Sequence, residues 1–70
     1  MKVEVFKTNV QEVVQSEILV KQLLVHYPDG HINFDLEDCD RILRIAAHAI
    51  VPDIVINMLV DQGYICELLS

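Results

Sequence analysis

The chain is 70 residues long, enough for one small domain spanning 1–70, and 53 % of it is hydrophobic. That proportion, with only two Gly, two Pro and no Trp, excludes a disordered or low-complexity chain and predicts a dense core. The net charge of −6, with the basic residues scattered at Lys2, Lys7, Lys21, Arg41 and Arg44, argues against nucleic acid and anionic membranes, which both recruit clustered Lys and Arg.

The opening "MKVEVFKTNV" has no apolar signal-peptide core, and the apolar runs are too short to span a bilayer. The expectation is a soluble cytoplasmic protein whose two cysteines are thiols rather than a disulfide. "KVEVF" alternates, with Val3 and Val5 on one side and Lys2 and Glu4 on the other, which predicts a half-buried first strand. "TN" offers a helix N-cap, and helical spacing runs from Val10 to about Tyr27. Ser16, Leu19, Val20 and Leu23 form its core stripe, and Glu17 and Lys21 make an i,i+4 pair. "YPDG" ends the helix, because Pro28 cannot continue it and Asp-Gly favours a turn.

"HINFDLE" alternates again, with Ile32, Phe34 and Leu36 on one face, and "DRILRIA" supplies a third strand with Leu43 and Ile45 inward. Pairing Phe34 with Leu43, Ile32 with Ile45 and Asn33 with Arg44 matches the inward sets. It leaves Glu37–Asp40 as the loop and sets Asp35 diagonal to Arg44 as an exposed ion pair. "VPDIVINMLVDQG" is a second helix, with Pro52 in its first turn, Asp53 at its positive end and Gly63 at its C-terminus. "YICELL" is a last strand, with Cys66 and Leu68 on one face. The order βαββαβ predicts an α+β, ferredoxin-like domain. Right-handed crossovers place two helices on one face of a four-stranded antiparallel sheet of order 4-1-3-2.

That order, with "PDIVINMLVDQGYICELL" closing the chain, resembles the heavy-metal-associated domain family of copper and zinc carriers over nearly its whole length. The resemblance implies a metal site at the junction of the first strand and first helix, where the family carries Met-x-Cys-x-x-Cys. Here the junction reads "KTNVQEVV", and either Asn9 and Glu12 or Val10 and Val13 stand at the thiol positions. The family's ligands do not carry over. The chain is similar to a stand-alone member without them, and Thr8, Asn9, Val10 and Tyr64 mark the corresponding end of the fold.

Each remaining candidate also has a plain structural role. Cys39 and Cys66 are candidates for a Cu or Zn site, since thiolates select soft ions, but a buried Cys66 acts as a small hydrophobe. Asp35, Glu37, Asp38 and Asp40 crowd one loop, yet no Gly bends it around a cation, and Asp-rich turns are ordinary. His26, His31 and His48 gather at the opposite end, His48 near Asp29, and read as solvated loop residues. No nucleophile elbow, Cys-His pair or phosphate loop is present, so no enzyme is expected.

Surplus apolar surface remains. Val14, Ile18 and Val25 form a second stripe on the first helix. Ile56 and Val60 lie on the second helix, opposite its sheet-facing Val55, Met58 and Leu59. Val14, Ile18, Ile56 and Val60 are thus the candidate interface, for a protein partner or a homodimer, with no cofactor. The expected function is a small non-enzymatic interaction module. The alternatives are a Cu or Zn carrier or sensor using Cys39 or Cys66, and a small-molecule regulatory domain, the last by analogy of fold.

Overall fold

The computed structural model describes residues 1–69. In chain order these form β1 (Lys2–Thr8), α1 (Val13–His26), β2 (His31–Asp35), β3 (Ile42–Ala47), α2 (Pro52–Asp61) and β4 (Cys66–Leu68). The four strands make one antiparallel sheet in the order β2-β3-β1-β4. Between β2 and β3, Phe34 pairs with Leu43, Ile32 with Ile45 and Asn33 with Arg44, the register that matched inward sets predict. β4 lies on the other side of β1, with Thr8 opposite Cys66 and Phe6 opposite Leu68.

The core is one cluster. Phe6, Leu43, Ile45 and Cys66 from the sheet meet Leu19 and Leu23 of α1, Val55 and Leu59 of α2, and the loop residue Val10. Both helices therefore pack on the sheet face that carries Phe6. This corrects the reading of β1. Val3 is 53 % exposed and Val5 only half-buried, while Phe6 and Thr8 are buried with Glu4 on the same face. One phenyl ring opposite the fully buried Leu43 outweighs two valines in deciding which side turns inward.

α1 begins three residues later than the spacing predicts. β1 must run on to Thr8 to pair with Cys66, so the next residues turn the chain. Val10 drops into the core in that turn. Glu12 is the N-cap position and its side chain makes no capping bond. Ser16 can sit in the buried stripe because its hydroxyl donates to the Val13 carbonyl at 2.7 Å.

α2 starts with Pro52 in its first turn and Asp53 beside the free amides, as expected. Its end is a Schellman motif. Gly63 N–H donates to the Val60 carbonyl and Tyr64 N–H to the Leu59 carbonyl. Gly63 holds φ at 92°, where a side chain would be strained, and Tyr64 folds back against the core. At the far end, Val51 N–H donates to the Tyr27 hydroxyl at 3.3 Å, tying the end of α1 to the start of α2.

Candidate functional site

Thr8, Asn9, Val10, Tyr64 and the two cysteines do gather at one end of the sheet. The polar groups there are occupied in joining loops. Thr8 N–H donates to the Asp40 carbonyl at 3.0 Å, and its hydroxyl donates to the Arg41 carbonyl. The same hydroxyl oxygen accepts Val10 N–H at 3.3 Å. Asn9 Oδ1 accepts Ile65 N–H at 2.8 Å. The "TN" pair is therefore no helix cap. It clamps the start of the β1–α1 loop to the β2–β3 and α2–β4 loops.

Cys66 is buried and Cys39 exposed, and both are free thiols. Burial pushes the Cys66 thiol up to about 11, so it stays protonated at neutral pH. Cys66 serves the core as an apolar side chain.

Cys39 lies in the acidic loop. The ligand atoms of Asp38, Cys39 and Asp40 fall within 4.8 Å of one another. Three of the four acids already have a structural partner. Asp38 Oδ1 accepts Asp40 N–H at 2.8 Å, and Asp35 Oδ1 accepts Glu37 N–H at 3.2 Å. Asp40 stands 3.8 Å from Lys7 Nζ, the one ion pair among the described residues. The expected Asp35–Arg44 pair does not form, because Asp35 turns toward its own loop. The hairpin closes on Arg41, whose φ of 46° is left-handed and whose guanidinium donates to the Leu36 carbonyl at 2.7 Å. The stretch is a tight turn with acids on its surface.

His26, His31 and His48 are all exposed. His48 does lie near Asp29, since both line one hollow of about 120 Å³ with Tyr27 and Gly30. His31 sits on β2 rather than in a loop.

Among the elements, α1 exposes the most large apolar side chains. That helix buries only Ser16, Leu19 and Leu23, and exposes Val13, Val14, Ile18, Leu24 and Val25. Val14, Ile18 and Val60 are exposed as expected, but Ile56 is half-buried and packed against the core. The two stripes also diverge. Gln62 Nε2 donates to Gln22 Oε1 at 2.6 Å, which marks the flanks the helices turn to one another. On a helix of 100° per residue, Val14 and Ile18 stand within about 80° of Gln22, whereas Val60 stands about 160° from Gln62. Ile18 thus lies toward the inter-helix flank, Val14 on the outer face between Gln22 and Leu24, and Val60 on the flank away from α1.

The other flank of α1 opens on a groove of about 740 Å³ against β2. Val13, Val20 and Leu24 form one wall, and Ile32, Phe34 and Leu36 the other, with Glu17 and Lys21 at the rim. The signal was present as the i, i+7, i+11 spacing of Val13, Val20 and Leu24. It was hidden because Val20 also fits the core stripe, where the structure leaves it half-buried. No helix among the described residues is long and apolar enough to cross a membrane. No family model, curated protein or solved structure matches the chain.

Proposed function

We propose that this chain is a small non-enzymatic interaction module of the heavy-metal-associated type, without that family's metal ligands. The fold supports the reading. The observed β2-β3-β1-β4 order, read from its other edge, is the 4-1-3-2 order of ferredoxin-like domains. At the end where that family holds its ion, this chain has Thr8 and Asn9 joining loops and Val10 in the core. Cys66 is a buried core thiol and Cys39 an exposed one on a turn.

The carrying observation is α1, which shows five large aliphatic side chains to solvent and buries two. A helix serving only its own core carries polar residues on that surface. Exposed apolar side chains in this number on one helix mark a protein contact. The test is titration with Zn(II) and Cu(I) under a competing chelator, alongside sedimentation of the wild type and of Val14→Lys/Ile18→Lys. Association that grows with concentration, with no metal retained, supports the module, and weakening in the double variant would place the contact on the outer stripe of α1. A tight 1:1 metal complex lost in Cys39→Ser overturns it in favour of a metal carrier.

A further inference from the structure

β2 is an edge strand, so every second residue directs its backbone N–H and C=O away from the sheet. Natural edges are blunted with Lys, Pro or a bulge. "HINFD" has neither residue, and its five positions pair with β3 in unbroken register. The opposite edge is protected by brevity, since β4 is only three residues long.

From this edge we propose that the chain forms a two-fold homodimer in which β2 pairs antiparallel with β2 of a second copy, about an axis at Asn33. The proposal rests on the reading of the chain as an interaction module and names its partner. Self-pairing about Asn33 sets His31 opposite Asp35 of the second copy, Ile32 opposite Phe34, and Asn33 opposite itself. The sequence is complementary to its own reverse. A base meets an acid on the open face, where His31, Asn33 and Asp35 are exposed. An aliphatic meets an aromatic on the helical face, where Ile32 and Phe34 line the groove. A one-residue slip would put apolar side chains opposite polar ones and lose both matches.

The groove repeats the pattern. Glu17 and Lys21 stand one turn apart along its rim, so a copy running the opposite way offers acid to base and base to acid. Pairing at β2 extends the sheet to eight strands with all four helices on one face, and each copy closes the other's groove. One patch meets its own copy, so growth stops at two.

The test is sedimentation of the full chain over a wide concentration range, with Asn33→Lys and Asn33→Asp. Position 33 is exposed, and circular dichroism checks that both variants fold. Wild type should dimerise. Each variant alone should dimerise at least about fivefold more weakly, because like charges face each other at the axis. Mixing the two variants should restore the complex, a result specific to residue 33 lying on the axis. A wild type that stays monomeric overturns the proposal. So does a dimer indifferent to Asn33→Lys, and loss of that dimer in Ile18→Lys then moves the contact to the α1 surface and leaves the interaction reading standing. The metal titration judges that reading independently.

Discussion

Thr8→Val probes the end of the fold where the β1–α1 and β2–β3 loops are tied together. The substitution keeps the shape and removes one hydroxyl. In the wild type that hydroxyl donates to the Arg41 carbonyl and accepts Val10 N–H. Val10 is 0 % exposed, so its amide would be left buried without a partner, at a cost of about 1–3 kcal/mol. The Arg41 carbonyl belongs to a half-exposed residue and can take water, so its loss adds about 1 kcal/mol at most. The added methyl recovers part of this. The expected net loss is about 2–3 kcal/mol, a large share of the roughly 5–10 kcal/mol available to so small a domain. Urea unfolding followed by circular dichroism measures it as a lower midpoint at unchanged slope. Thr8→Ser keeps the hydroxyl and should lose less than half as much. A Thr8→Val protein within about 0.5 kcal/mol of wild type would refute the structural role of this group, since ordinary surface changes cost no more than that.

Native thiol labelling should modify Cys39 quickly and Cys66 only on unfolding, because one is exposed and the other buried; equal fast labelling would remove Cys66 from the core. Stability should also fall with alkali. The folded thiol of Cys66 titrates near 11 and the unfolded one near 9.0, so above pH 9 the unfolded chain binds fewer protons. Stability contributed by the neutral thiol is then lost as pH rises from about 9 to about 11, by at most about 3 kcal/mol. Cys66→Ala should flatten that part of the profile, and an unchanged profile would show that the loss comes from elsewhere.

The elements with two independent constraints were legible before the structure. β2 and β3 have alternating faces and a short loop between them, so only one register buries both inward sets. α2 carries Pro52, Asp53 and Gly63 at its ends, each with a local physical reason. Where one signal had two uses, the reading failed. "VEV" alternates as well as "EVFKT" does, and the choice between them depends on Phe6 meeting Leu43 across the sheet. Thr8 and Asn9 suit a helix cap as well as a loop clamp, and the clamp requires neighbours 33 and 56 residues away in sequence. Ile56 reads as an outer residue on the wheel, yet the core reaches it. The groove was missed for a related reason. It exists because α1 leaves the inner face of β2 partly uncovered, a matter of where a helix lies and not of which residues it presents.

The interaction reading meets its most direct test in amide NMR spectra recorded over a dilution series from the highest soluble concentration, without metal. Shifts are predicted in the groove walls and the exposed side of α1, from Val13 to Val25 and along His31 to Asp35. The Thr8, Cys39 and Cys66 end should stay still. Spectra that do not change with concentration, and that move only at Thr8, Asn9 and Cys39 when Zn(II) or Cu(I) is added, would contradict it.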